Sequence, residues 1–295
     1  MNISFEYYRI FYYVAKYENI TKAAMVLKSS QPNVTRIIHL LEDQLDCRLF
    51  LREPRGLKLT EEGKRLYDHV AIACQHLLDA EAELCWNKNI CSGTIELGVT
   101  ETAVHLFLLK HLHGFQQKYS DIKIRIQNNT TPGILKALLN GRLDLAIVTT
   151  PFELNDTFAC EDLMTFREVP AGGSEYRALA GHPMSLKEFR FHSIIGLGYG
   201  TASYEYYRKV FMEQKLDYEP AMEVATADLV IPLLQNNLGV GFIPEPLAAP
   251  FFEDQSLVPL SLNVPLPSRD VKMLWDKSLS QSRAAATFCD YLRSL

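Results

Sequence analysis

Between Ser29 and Leu45 the chain carries two faces at once. Val34, Ile37, Ile38, Leu41 and Leu45 recur at steps of three and four, which predicts a helix whose apolar stripe faces a core. Ser30 is placed to cap it, and Pro32 falls in the first turn, where a missing N–H has no intrahelical partner to lose. The opposite face holds Gln31, Asn33, Thr35, Arg36 and His39, side chains that can donate to and accept from base edges and phosphates. A solvated helix face is the alternative, and the flanking sequence bears on the choice.

Upstream, Thr21 is placed to cap a second, shorter helix carrying Ala23, Ala24 and Leu27 at helical spacing. Two short helices joined by a tight turn, the second polar-faced, form a helix-turn-helix arrangement, whose second helix enters the major groove with its N-terminal residues leading. Phe5, Tyr8, Phe11, Tyr12 and Ala15 predict a third helix that completes a small core. Leu49, Leu51, Leu57 and Leu59 alternate around Pro54-Arg55-Gly56, a two-stranded ribbon with a basic tip, or wing, in which Arg52 and Arg55 would meet backbone phosphate. Residues 1–60 hold nine Lys and Arg against six Asp and Glu, or +3, whereas the whole chain is −5, leaving −8 for the remainder. A mildly basic head on an acidic body fits one phosphate-binding module attached to something that does not touch nucleic acid.

From Leu66 the residues Val70, Ala73, Leu77, Ala80 and Leu84 follow a four-three repeat without proline, the spacing of a coiled-coil seam. It is short and alanine-rich, so it reads as a dimerising connector that depends on the domains it joins. A helix packed on its own body is the alternative. Beyond Gly93 strand and helix alternate through "GTIELGV", "IKIRIQ" and "LDLAIVT", which predicts parallel βαβ units, and such sheets bind ligands beyond their strand carboxyl ends. Thr100 and Thr102 follow the first strand, Asn129, Thr130 and Thr131 the second, and Thr149 and Thr150 the third.

These segments together resemble the LysR-type transcriptional regulators. The likeness runs through "ITKAAMVLKSSQPNVTRIIHLLEDQL", Leu49-Phe50, Arg52 and "LTEEG", and again through "ATADLVIPLLQNNLGVGFIPEPLA" with Gly239, Gly241, Pro244 and Glu245. It departs at Asn19, where serine is common, at Asp46, where glycine is usual, and at Asn236-Asn237, where small residues are usual. The resemblance implies an α/β fold class with an N-terminal winged helix-turn-helix domain over 1–60, a dimerising linker helix over 61–89, and a two-lobed periplasmic-binding-protein-like (type 2) effector domain over 90–295. Lobe one would take about 90–162 and 268–295, and lobe two about 163–267. The implied partners are double-stranded DNA with paired half-sites, a small-molecule effector, further copies of the chain as dimer or tetramer, and RNA polymerase.

The effector class has a physical argument of its own. Thr100, Thr102, Thr130, Thr131, Thr201 and Ser203 all fall near helix starts, where free N–H groups and the helix dipole favour an anion, so a small acid is expected between the lobes with Thr149 beside it. Ordinary helix capping is the competing role for these hydroxyls. A sensor without any ligand, serving oligomerisation or partner contact, is the competing function.

Several classes lose support. No GxGxxG, Walker loop or GxSxG occurs, so no catalysis and no cofactor are expected. The cysteines at 47, 74, 85, 91, 160 and 289 form no CxxC pair, and His105, His111 and His113 do not stand one helical turn apart, so neither a disulfide framework nor a metal site is expected. No signal peptide and no run of about eighteen apolar residues is evident. A cytoplasmic protein without membrane association is therefore expected.

Overall fold

A computed structural model describes residues 3–53, 56–84 and 93–295, and the chain divides into two units, Met1–Lys88 and Asn89–Leu295. In the first unit, helices α1 (Phe5–Tyr17), α2 (Ile20–Val26) and α3 (Gln31–Leu45) precede strands β1 (Phe50–Glu53) and β2 (Gly56–Leu59) and the long helix α4 (Glu61–Leu84). Phe11, Val14, Ala23, Val34 and Leu41 interlock at the centre of its core. Ser30 caps α3 by accepting from Asn33 N, with Pro32 in the first turn. The cap of α2 is Asn19, which accepts from Lys22 N, and not Thr21, whose hydroxyl instead donates to Gln31 Oε1. Asp46 ends α3 in the left-handed conformation at φ 51°, which a short polar side chain tolerates.

The wing is tied to α3 by a carboxylate. Glu42 is buried, and it accepts from Leu49 N at 2.7 Å, Phe50 N at 3.2 Å and Arg48 Nη1 at 2.9 Å. Gly63 lets α4 approach the same corner, since a Cβ there would stand 2.2 Å from the Leu49 carbonyl oxygen. The seam expected along α4 is divided. Leu66 and Val70 pack into the unit's own core, so Val70 is not free to face a second subunit, whereas Ala73 and Leu77 are exposed. A heptad spacing marks which face is apolar, not what covers it. Leu84 lies at the described end of α4.

The second unit begins with β3 (Gly93–Val99) and α5 (Glu101–Ala103), which continues through a π-helical turn at Val104–Leu108 into α6 (Leu109–Lys118). Strand β4 (Ile122–Asn128), helix α7 (Thr131–Leu139), β5 (Leu145–Thr149) and β6 (Phe158–Phe166) follow. The chain crosses at Arg167 into a second sheet made of β7 (Glu168–Gly172), β8 (Ile194–Leu197), β9 (Met222–Val224), β10 (Val240–Pro244) and β11 (Val258–Pro259). Between its strands run α8 (Leu186–Phe189), α9 (Ala202–Glu213), α10 (Val230–Gln235) and α11 (Glu245–Glu253). It returns with β12 (Arg269–Asp276), and α12 (Arg283–Arg293) docks on the first lobe through Ala285, Phe288 and Leu292.

The sheet orders are β4-β3-β5-β12-β6 and β11-β7-β10-β8-β9. β3 is parallel to β4 and β5, and β8 to β9 and β10, as the alternation predicts; β12, β6, β7 and β11 pair antiparallel, so both sheets are mixed. β6 belongs whole to the first sheet, so lobe one runs to Phe166, a few residues past about 162. Asn237 takes φ 59° and its side chain accepts from Glu175 N, a use that explains asparagine where a small residue was expected.

Glu42 generates a pH prediction. Burial opposes its ionisation, but the bonds from Leu49 N, Arg48 and Phe50 N outweigh it and hold the carboxyl below the ordinary 4.5. A depressed carboxyl stabilises the fold above its unfolded value and loses that contribution as pH falls through the folded one. Glu42→Gln should therefore lower stability by roughly 1–3 kcal/mol at pH 7. Thermal melts of both proteins should converge as pH is lowered below 4.5; a gap that persists in acid would assign Glu42 a shape role instead.

Candidate functional site

The exposed face of α3 comes first. Gln31, Pro32, Thr35, Arg36 and His39 line one shallow concavity on its surface. Asn33 Nδ2 donates to Ser29 Oγ, Arg36 Nη2 donates to Asn33 Oδ1 at 3.1 Å, and Thr35 Oγ1 donates back to Gln31 O. The Arg36 guanidinium is thus held beside an amide at the start of a helix, with further donor positions open. Arg52 lies on β1 opposite Leu57, and Arg55 lies outside the described residues.

In the second unit the parallel strands β3, β4 and β5 end side by side, so the residues after them share one edge. Thr100, Thr102, Thr130, Thr131 and Thr149 from that edge line a cavity of about 370 Å³, together with Thr201 and Ser203 at the start of α9 in the other lobe. All seven hydroxyls expected to act together line this one space. Their present bonds differ. Thr130 caps α7 by accepting from Gly133 N and Thr201 caps α9 by accepting from Tyr204 N, so these two perform the ordinary capping role. Thr131 Oγ1 donates to the Thr149 carbonyl at 3.4 Å. Thr100 Oγ1 is buried without a hydrogen-bond partner among the described residues.

Thr149 and Ser203 answer to a residue that spacing did not reveal. Arg269, 1% exposed, opens β12 at the second crossing between lobes. Its Nη2 donates to Thr149 Oγ1 and its Nε to Thr150 O, both in lobe one. Its Nη1 donates to Ser203 Oγ and to Glu168 Oε1, the latter on β7 immediately after the first crossing. The guanidinium also lies over the rings of Phe166 and Tyr206, 5.4 and 5.0 Å from their centroids. Burial, with the Glu168 charge adding to it, pushes the Tyr206 phenol well above its ordinary value; its hydroxyl donates to Pro267 O.

The cavity rim also carries Glu101, Asn128 and Asn129. Asn128 Nδ2 donates to Glu101, whose other oxygen lies 2.8 Å from His105 Nε2. His105 is thereby occupied by a carboxylate, and among the described residues no group of three or more metal-ligating side chains converges. Cys85 and Cys91 lie outside the described residues. No described helix is long and apolar enough to cross a membrane.

Comparison with known proteins agrees over both units. Residues 5–64 match the family described as bacterial regulatory helix-turn-helix protein, lysR family, and residues 91–295 match the LysR substrate binding domain. The HTH-type transcriptional regulator YofA of Bacillus velezensis is 25% identical over 289 residues, covering 97% of this chain and 96% of that protein. The RuBisCO operon transcriptional regulator of Allochromatium vinosum is 23% identical over 294 residues, 100% of this chain and 97% of its own. Among solved structures, a full-length OxyR variant from Pseudomonas aeruginosa superimposes with a TM-score of 0.72 at 17% identity, over 99% of this chain and 98% of that one.

The buried arginine can be tested directly. Arg269→Met leaves Glu168 as an uncompensated buried charge and should destabilise the protein by about 3–5 kcal/mol, whereas adding Glu168→Leu should recover much of the loss. Urea denaturation followed by circular dichroism compares the two; a double variant as unstable as the single one would mean that packing, not charge compensation, is what Arg269 supplies.

Proposed function

The chain belongs to the LysR family of transcriptional regulators, and from that premise we propose how its parts act. Helix α3 reads base edges through Gln31, Asn33, Thr35 and Arg36, with Thr21, Ser30 and Pro32 setting the helix start against the backbone. Arg52 and Arg55 of the wing supply phosphate contacts. Two subunits paired along α4, at Ala73, Leu77 and Leu84, place two such helices in successive major grooves of paired half-sites, as dimer or dimer of dimers. The setting is the cytoplasm, with RNA polymerase as a protein partner and no catalytic step.

The second unit senses a small acid between its lobes. What carries this reading is the convergence of seven hydroxyls from both lobes on one cavity, next to helix starts whose first N–H groups have no intrahelical acceptor. A ligand touching both lobes favours the arrangement that brings them together, and it shifts the population only through that difference in affinity.

Two measurements test the two halves. Arg36→Ala or Gln31→Ala should weaken operator binding by roughly 1–3 kcal/mol with the melting temperature unchanged. Gel shifts on operator and scrambled DNA separate base reading from phosphate contact, because equal losses on both would move Arg36 to the second role.

For the sensor, thermal melting against carboxylic acids of one to six carbons should reveal a stabilising member, by about 2.7 kcal/mol at a hundred times its dissociation constant. Thr100→Val should abolish that shift without lowering the unliganded melting temperature, since the hydroxyl removed is buried and has no hydrogen-bond partner among the described residues. A panel without any stabilising acid would overturn the acid reading in favour of a sensor that serves partner contact.

A further inference from the structure

A second cavity, of about 320 Å³, opens beside the hydroxyl-lined one and shares Thr102, Leu197, Ser203 and Ala227 with it. Its character is different. Ile231 and Pro232 of α10, Phe242 and Ile243 of β10, and Leu247 and Phe251 of α11 give it a largely apolar wall. Leu247 packs against the cores of both lobes, so the cavity lies under the contact between them. Its volume falls within the range of small-molecule sites, and an apolar wall of this kind selects an apolar body.

Polar side chains line the rest of it, Thr102, His105, Ser203, Asp228 and Gln235 among them, and one more is a buried carboxylate. Glu168 lines this cavity with its side chain 1% exposed; Oε1 accepts from Arg269, and Oε2 has no partner among the described residues. Arg269 does not serve Oε2: its Nη1 goes to Oε1 and Ser203, its Nη2 to Thr149 and its Nε to Thr150. A buried carboxylate oxygen beside apolar space is satisfied by a molecule that brings its own donor.

We propose that this cavity holds the apolar body of the effector and that the body bears a hydrogen-bond donor, a hydroxyl or an N–H, directed at Glu168 Oε2. The proposal deepens the effector reading above and rests on it for the location of the ligand between the lobes. The acid would meet the hydroxyl wall, and the donor-bearing hydrocarbon would fill the adjoining space. A bare aliphatic acid of the same size lacks the group that Glu168 requires.

Cyclohexanol and cyclohexanone have nearly one shape, and only the first donates. Titrated into the full chain and followed by ligand-observed NMR, cyclohexanol should bind at least about tenfold more tightly than cyclohexanone, as befits a hydrogen bond to a charged acceptor. Ile231→Trp, which fills the cavity from its wall, should weaken cyclohexanol at least tenfold and leave acetate unaffected. Glu168→Gln, which can turn an amide donor toward the cavity, should narrow or reverse the preference. Equal affinities for alcohol and ketone, or an Ile231→Trp protein that binds cyclohexanol as well as the parent, would overturn the proposal. The two readings fail separately: absent acetate binding with the alcohol preference intact removes the acid from the hydroxyl wall and leaves the donor-bearing occupant in place.

Discussion

A buried guanidinium stands where the chain crosses between the two lobes of the second unit. Arg269 stands at one crossing of the chain and Glu168 at the other, and the remaining donors of Arg269 go to Thr149 and Thr150 of lobe one and Ser203 of lobe two. Removing both charges from water costs several kcal/mol each, and their attraction offsets this only while the geometry is kept and the other hydrogen-bonding positions are filled. The crossing strands are therefore held as a pair. Any change in the angle between the lobes has either to pivot about this cluster or to strip partners from a buried charge, and the second is far more costly. That favours a rotation with the arginine near its axis, leaving the outer rim of the cleft to open and close.

The same cluster explains what the hydroxyls can do. Thr149 and Ser203 are spent on Arg269, and Thr130 and Thr201 on helix caps, so these four present partly satisfied oxygens to the cavity. Thr100, buried and without a hydrogen-bond partner among the described residues, is the one with most to gain from a ligand. Glu101 adds a carboxylate to the rim, although it is engaged by Asn128 and His105. On the proposed reading, an acid seated there would meet N–H groups and hydroxyls close at hand, with the Glu101 carboxylate on the same rim opposing its approach from that side.

How much of this was legible in the sequence follows from the range of each interaction. The head was readable because its signals are local: an apolar stripe at Val34, Ile37, Ile38 and Leu41, a cap at Ser30 three residues before its partner, a proline in the first turn. Capping at α2 was expected two residues too late: the backbone enters the helix at Ile20, so Asn19 and not Thr21 takes the cap. The βα alternation also put the hydroxyls after β3, β4 and β5 on one edge, since residues after parallel strands must share it. What could not be read were the pairings across long separations. Arg269 and Glu168 are 101 residues apart with no pattern linking them, and even the nearer partners of Glu42, Arg48 to Phe50, meet it only because the chain turns after α3. Val70 failed differently: its spacing was right, but its cover proved to be the chain's own core.

The two cavities together bear on how a ligand could be converted into a conformational signal. A molecule held only by Thr100, Thr102 and Thr131 touches one lobe and binds open and closed arrangements about equally, so it shifts nothing. Occupying the apolar space adds Ile231, Phe242 and Phe251 of the other lobe, and the contact with Glu168 adds the crossing strand itself. Each of these is worth most when the lobes are close. On the proposed occupancy, the apolar body and its donor would add to the differential affinity that the acid already gains by meeting Thr201 and Ser203 of the second lobe.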